Sequence, residues 1–494
     1  MLSKKNFKLI PFILIIFLLP FLDFVKNNIS EIDIILGKSF IFLIFVLFFI
    51  LLIIAYIIKL FFKKIDFTVS FFIVVFSYWL FFKHNSLNLL LFSFLKKFAS
   101  IGSEFSSEIS LLILIILSIY FSILIYKNNK FFKKFILIFF SLTFFVSLFQ
   151  IIKFNYESNI SDLTSNISNL SKEDSINFPD KIKNKKENIY FFILDAMQPI
   201  NEFEKYYKLN KKDFINYVEN RNYTYMHNTV NTYDNTTHSL SAFFYLDKIF
   251  NEDKKLNNKM KILYPTLLRE KNSSTLINNL NELGYDFKWL GNFFAYCPKF
   301  NLRYCLSKNS GSIIDSYLYI NFFRQSPLIQ IIINFGYIFN FDFEKNFYYK
   351  LNDGMGRLIN HLSEDHKIND KPTFYFIHHM SPHWPYLTDE DCSYKKYPGN
   401  RNIDGYKSAY LCTLKKIQIT TEFLNEFDPN STVVFQSDHN WIMSKDMDEK
   451  KRIFNLIKIN KNCNLDKDIN LNNVNALRLI FSCMTGNKVK YISD

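Results

Sequence analysis

The first 153 residues are a succession of apolar runs broken by short lysine clusters, whereas the remainder mixes strand-length apolar runs with long polar stretches. Five apolar segments can be drawn at roughly 9–25, 38–62, 67–82, 108–126 and 135–153, each near the ~20 residues a helix needs to cross a bilayer. The run from Leu87 to Phe98 is shorter, ends in Lys96 and Lys97, and suits a helix lying in the membrane interface. Lys4, Lys5 and Lys8 precede the first segment as in a signal peptide, but no small-residue cleavage site follows, so an uncleaved anchor is expected.

Beyond residue 187 the apolar runs have strand length. Tyr190–Leu194, Tyr285–Asn292, Phe374–Ile377 and Val433–Phe435 read as buried strands, and a helix is expected from about Asp404 to Phe427. Strand, helix, strand alternation predicts a mainly parallel central sheet with helices on both faces. The expected fold class is an N-terminal all-α transmembrane bundle of about five helices followed by an α/β domain. The boundaries read as 1–154 for the transmembrane part, 155–187 for a juxtamembrane linker and 188–494 for the water-soluble part. Ile160, Leu163, Ile167 and Leu170 give the linker the spacing of an amphipathic helix on the membrane surface. Residues 311–360 read as mostly helical and aromatic, with part of Leu328–Phe341 resting on the membrane or covering a site.

Charge changes the picture less than its size suggests. A net +14 first points to nucleic acid, but many of the lysines lie at the ends of apolar helices, where they set orientation. Lys4, Lys5, Lys8, Lys59, Lys63, Lys64, Lys127, Lys130, Lys133 and Lys134 fall on one side, and Lys26, Lys38, Lys83, Lys96 and Lys97 on the other. The richer side is cytoplasmic by this rule, and an odd number of spans then puts everything after Phe154 outside the cytoplasm. No nucleic-acid partner is expected. All six cysteines lie in the soluble part, as expected of disulfides in an exported domain. Proximity favours 297–305, 392–412 and 463–483 among 15 possible pairings, and no CxxC pair suggests a zinc finger.

The candidate chemistry sits where strands end. Asp195 ends the first, His378, His379 and His383 crowd the end of the third, and Asp438 and His439 follow the last. Open α/β sheets bind ligands at the carboxyl ends of their strands. An adjacent carboxylate and imidazole offer a hard oxygen and a borderline nitrogen to a divalent cation. Each residue also has an ordinary use: an aspartate at a strand end caps a helix, and His379 is the expected packing histidine. Thr229, Thr232, Thr236, Thr237, Ser239 and Ser241 crowd a loop entering a helix expected to start near Ser239. A hydroxyl there faces free N–H groups and the positive end of the helix dipole, which favours an alkoxide and binds phosphate.

Taken together these motifs resemble the alkaline phosphatase/sulfatase superfamily. They are most similar to its membrane-anchored branch of lipoteichoic acid synthase-like phosphoglycerol and phosphoethanolamine transferases. Asp195 matches the acidic metal ligand at the end of the first strand, Thr236-Thr237-His238-Ser239-Leu240 the T-x-x-S-L nucleophile motif, and Asp438-His439 the metal pair. His378, Pro382, His383 and Pro385 match H-x-x-x-P-H-x-P. The resemblance implies an extracytoplasmic alkaline phosphatase-like domain. It makes Thr236 the nucleophile, in preference to Thr232 and Thr237. It implies Asp195, Thr236, Asp438 and His439 as ligands of one divalent metal, Zn2+ or Mn2+. His378 and His383 are assigned to substrate, and His383 to catalysis as well. The implied reaction moves a phospholipid headgroup, phosphoethanolamine or phosphoglycerol, onto a cell-envelope glycan or lipid through a phosphothreonine. The implied location is a multi-pass protein of the bacterial inner (plasma) membrane with a periplasmic or extracellular domain. Two departures stand out: Asn440 replaces the usual glycine after Asp-His, and the first strand gives one carboxylate, Asp195, rather than the Asp-Asp of sulfatases. No cysteine opens the sulfatase C-x-P-x-R pattern either, which disfavours sulfate-ester hydrolysis. Water as acceptor, in a sulfatase-like phosphodiesterase, and a catalytically inactive lipid-binding regulator are the alternatives.

Overall fold

A computed structural model describes residues 10–28, 38–98, 103–127, 130–158, 187–208, 210–248, 263–268, 274–292, 305–306, 322–323, 325–328, 345, 349–365, 371–395, 403–441, 447–459, 463, 465, 469–486 and 490–492. The chain divides into two compact units, Met1–Ile160 with Asp315–Phe341, and Ser161–Ile314 with Asp342–Asp494.

The first unit is helical: α1 (Ile10–Asn27), α2 (Lys38–Phe61), α3 (Phe67–Phe81), α4 (His84–Phe98), α5 (Ser103–Tyr126) and α6 (Lys130–Ser158). Four of these, α1, α2, α5 and α6, are long and apolar enough to cross a membrane, or five spans result if α3 and α4 count as one. The segment expected at 67–82 forms a helix over nearly those residues, but one too short to cross a bilayer by itself. Asp66 caps α3 by accepting from the Thr68 N–H at 2.8 Å, and the 15-residue helix reaches only about 22 Å at ~1.5 Å per residue. A 44° bend then leads into α4. Large apolar side chains face outward along the long helices, Phe42, Phe45 and Phe49 among them, as lipid contact requires. The inner side is aromatic. Phe322, brought in by the Asp315–Phe341 stretch, stacks on Phe21 at 4.7 Å and packs against Phe24, Phe40 and Phe82. Lys83 pairs with Asp23 at 2.5 Å. Of Leu328–Phe341 only Leu328 is described, and the linker helix expected over 160–170 lies outside the described residues.

The second unit is built on one six-stranded sheet, ordered β2-β6-β5-β1-β4-β3. The strands are β1 (Ile189–Leu194), β2 (Thr224–Tyr225), β3 (Asp286–Leu290), β4 (Thr373–His379), β5 (Thr432–Ser437) and β6 (Asn455–Lys458). The pairs β5–β1, β1–β4 and β4–β3 are parallel, while β6 and β2 add an antiparallel edge. The mainly parallel sheet expected from the apolar runs is thus present, extended by two short strands that the pattern did not announce.

Strand periodicity divides the core. Ile189, Phe191, Ile193, Phe374, Phe376 and Val434 face one layer, which contains α9 (Thr236–Tyr245), α10 (Thr275–Glu282) and, at the end of the chain, α13 (Asn473–Thr485). Tyr190, Phe192, Leu194, Tyr375, Val433 and Phe435 face the other, with α7 (Ile200–Tyr207), α8 (Lys212–Glu219), α11 (Gly354–Asp365) and α12 (Ile403–Phe427). The central strands are buried on both faces, which explains why they read as unbroken apolar runs. Cys392 pairs with Cys412 and Cys463 with Cys483; Cys297 lies outside the described residues.

Candidate active site

The site forms at the carboxyl ends of the three central strands. Leu194 of β1 pairs in register with Ser437 of β5, so the next residues out, Asp195 and Asp438, emerge side by side. Ile193 pairs with His378 of β4. Because side chains alternate along a strand, Asp195, His378 and Asp438 all lie on the face that carries α9. Their donor atoms lie within 4.8 Å of one another.

The backbone turns sharply after Asp195. Ala196 has φ 58°, the left-handed region that costs a residue with a Cβ about 1 kcal/mol. Two bonds offset this: its N–H donates to Asp438 Oδ1 at 3.1 Å, and its carbonyl accepts from the Tyr406 hydroxyl at 2.9 Å. On the β5 side the His439 N–H donates to the same Asp438 oxygen at 2.9 Å. Asn231 donates to the Asp438 carbonyl at 2.5 Å.

Thr236 is the first residue of α9. Asn235 is the cap, accepting from the His238 N–H at 3.0 Å, so the helix begins three residues before the Ser239 start expected from the sequence. Thr236 Oγ1 lies 3.2 Å from His439 Nε2. His439 Nδ1 lies 2.6 Å from the Asn440 carbonyl. A carbonyl only accepts, so Nδ1 carries the proton, and in the neutral ring Nε2 presents its lone pair to the threonine hydroxyl.

Two oxygens remain. Asp195 Oδ1 and Asp438 Oδ2 are buried and have no hydrogen-bond partner among the described residues, and each lies 3.6 Å from His439 Nε2. Burial raises Asp438, and the neighbouring Asp195 charge raises it further. Burial also opposes ionisation of Asp195, but His383, His378 and His439 outweigh it and bring its pKa to about 2. His439 is pulled down by burial, yet the two carboxylates leave it above its ordinary value. Two buried anionic groups with orphaned oxygens facing one imidazole nitrogen and one hydroxyl call for a positive charge. The oxygen and nitrogen donors fit a divalent cation such as Zn2+ or Mn2+.

The other expected residues divide. His378, assigned to substrate by the sequence, is fully buried and donates from Nε2 toward Asp195 Oδ2 at 3.0 Å. His379 points to the opposite face of the sheet, 3.7 Å from Asp353 Oδ1. Asp353 in turn pairs with Lys416 at 2.7 Å. Burial drives the His379 pKa to about 3, so it is a neutral packing histidine, as expected. His383 is half-buried with its ring 2.5 Å from the Trp384 carbonyl; it bonds to none of the cluster, but its charge reaches Asp195.

Sequence reasoning missed the supports. Asn440 is more than a departure from a glycine. Its amide donates to Glu202 of α7 and to the Glu449 carbonyl, both at 2.6 Å, pinning the turn that carries His439. Tyr264 bonds His378 Nδ1 at 2.9 Å. No local pattern marked either Glu202 or Tyr264, because their partners lie 238 and 114 residues away.

No protein-family model matches the chain, and no curated protein does. Solved structures are similar at low identity. The zinc complex of the C-terminal periplasmic domain of EcEptC from Escherichia coli is 14% identical, with a TM-score of 0.38 over 63% of this chain and 85% of that one. The integral membrane lipooligosaccharide phosphoethanolamine transferase A (EptA) of Neisseria meningitidis is 12% identical, with a TM-score of 0.32 over 77% of this chain and 73% of that one. Ps i-CgsB in complex with a neocarrahexaose is 12% identical, with a TM-score of 0.36 over 62% and 73%. The chemistry of this chain is read from its own side chains.

Proposed function

We propose that the chain is a membrane-anchored, metal-dependent transferase of the alkaline phosphatase/sulfatase superfamily. It moves a phospho-headgroup, phosphoethanolamine or phosphoglycerol, from a phospholipid to a glycan or lipid of the cell envelope. The observation that supports this most is the convergence of two orphaned carboxylate oxygens, of Asp195 and Asp438, on His439 Nε2. The Thr236 hydroxyl lies against the same nitrogen.

Asp195, Asp438, His439 and the Thr236 oxygen would hold the ion, which supplies the Lewis-acid charge that makes a hydroxyl acidic and balances phosphoryl oxygens. The N-terminus of α9 adds its partial positive charge at Thr236. Thr236 gives up its proton to solvent, and its oxygen attacks the phosphorus. The phosphorus–oxygen bond to the glyceride breaks, and the departing oxygen takes a proton. His383, a half-buried imidazole, suits the donation of that proton or the steadying of the phosphoryl oxygens. An acceptor hydroxyl then attacks the phosphothreonine, loses its proton, and returns the threonine oxygen to its protonated form. Splitting the transfer in this way replaces one difficult displacement with two easier ones.

Helices long and apolar enough to cross a membrane, in the same chain, suit a donor that never leaves the bilayer. Counted as five spans, with the lysine-rich ends in the cytoplasm, they put the sheet domain on the outer side of the plasma membrane. The test is to incubate the purified protein in lipid vesicles with phospholipid labelled in the headgroup and to trap the enzyme. Label on Thr236, chased onto a glycan or lipid hydroxyl, is the expected result. Label released only as the free phospho-headgroup assigns a hydrolase, and no label on protein or product overturns the reading.

A further inference from the structure

Asp195 has two oxygens in different surroundings, and the difference traces to a buried chain of three groups. The Tyr264 hydroxyl lies 2.9 Å from His378 Nδ1, and His378 Nε2 lies 3.0 Å from Asp195 Oδ2. All three residues are at most 1% exposed. An ionised carboxylate only accepts, so Nε2 carries the proton; Nδ1 of the neutral ring then accepts, and the phenol donates to it. One direction of donation satisfies the whole chain: Tyr264 to His378 to Asp195 Oδ2. The other oxygen, Oδ1, has no hydrogen-bond partner among the described residues and faces His439 Nε2 at 3.6 Å.

The tyrosine is held by the helix that carries the threonine. Its N–H donates to Ser241 Oγ at 2.8 Å. Its ring stacks on Phe244 at 5.8 Å and meets Phe376 of β4 edge-on at 5.9 Å. Ser241 and Phe244 both belong to α9. The helix that presents Thr236 therefore also fixes the tautomer of the histidine that orients Asp195.

We propose that Tyr264 and His378 are positioning residues that hold Asp195 as a one-oxygen ligand, with Oδ1 turned to the cation and Oδ2 held back. This rests on the metal-dependent reading above. It assigns His378 to the support of a ligand rather than to substrate, and it separates this arrangement from the alternative in which His378 Nε2 binds the ion itself. Outer partners of this kind commonly set metal affinity by about 10- to 100-fold.

The test uses the full-length protein in detergent, stripped of metal and titrated with Zn2+ against a chromophoric chelator, with unfolding of the metal-free form followed in parallel. Tyr264→Phe keeps the ring stack and removes the donor; Zn2+ affinity is expected to fall about 10-fold. His378→Leu should lose about 100-fold. His378→Gln, whose amide N–H can still reach Asp195, should recover most of that loss, as a support can and a ligand cannot. Equal losses in His378→Gln and His378→Leu would make His378 a ligand and overturn the proposal, as would parent-like affinity in Tyr264→Phe. A parent protein that binds no Zn2+ overturns the metal reading and this one together, so the two failures are told apart. Metal-free melting temperatures that match the parent show that the affinity changes arise at the site.

Discussion

His439 Nε2 lies 3.2 Å from Thr236 Oγ1 although 203 residues separate them in the chain. The contact exists because β5 runs beside β1 in the middle of the sheet while α9 packs across the face that Asp195 and Asp438 share. A strand end and a helix start, each unremarkable alone, thereby bring an imidazole lone pair, two carboxylates and a hydroxyl to one point.

Thr236→Ala tests the hydroxyl. Asn235 supplies the helix cap, so the substitution removes the Thr236 oxygen and leaves α9 intact. Headgroup transfer is expected to fall by at least about 1,000-fold, as when a covalent nucleophile is lost. The melting temperature should stay close to the parent's. Retained turnover, or phosphorylation found elsewhere by mass spectrometry, would reject Thr236 as nucleophile.

Removal of divalent metal should destabilise the sheet domain. With no cation, the buried Asp195 and Asp438 oxygens keep no partner among the described residues. A ligand present at 100 times its dissociation constant adds about 2.7 kcal/mol, so the melting temperature should drop with a chelator and rise again with added Zn2+ or Mn2+. A melt insensitive to both counts against a cation at this site.

Glu202 gives the protein a pH dependence. Burial raises its pKa from 4.5 to about 7, with Asn440 hydrogen bonding opposing the shift. The folded state therefore keeps a proton that the unfolded state releases above its lower pKa. The associated stability is fully present below about pH 4.5 and is lost as pH rises through about 7. Glu202→Gln keeps an acceptor for Asn440 and does not titrate. Its melting temperature should match the parent at low pH and exceed it by a few degrees at pH ~8. Parallel melting curves from pH ~5 to ~8 would show that Glu202 does not contribute in this way.

Asn440→Gly tests the departure from the family pattern. Asn440 is not among the residues with positive φ, so glycine gains no conformational advantage there. It loses the amide bonds to Glu202 and the Glu449 carbonyl. The expected cost is about 1–3 kcal/mol in stability, with weaker metal binding because the turn carrying His439 loosens. A variant as stable as the parent, with unchanged Zn2+ affinity, would make the asparagine incidental.

The sequence by itself determined the division into an apolar helical part and an α/β part. Membrane helices and doubly buried strands such as β1, β4 and β5 are continuous apolar runs, and burial on all sides is written directly into composition. It also marked Asp195, Asp438 and His439, because each lies at a strand end, and Thr236 through its resemblance to the T-x-x-S-L motif. What it could not show was anything set by packing across long separations. The strands β2 and β6 are two and four residues long and exist through pairing rather than propensity. The placement of His378 beside Asp195, rather than toward a substrate, depended on which face of β4 met α9. Tyr264, Glu202 and Asn440 acquired their roles only when elements distant in the chain came into hydrogen-bond range. Hydrophobic patterning is a local record of burial, whereas a site is a set of distances, and distances between strands and helices are fixed only once the sheet has been ordered and its faces covered.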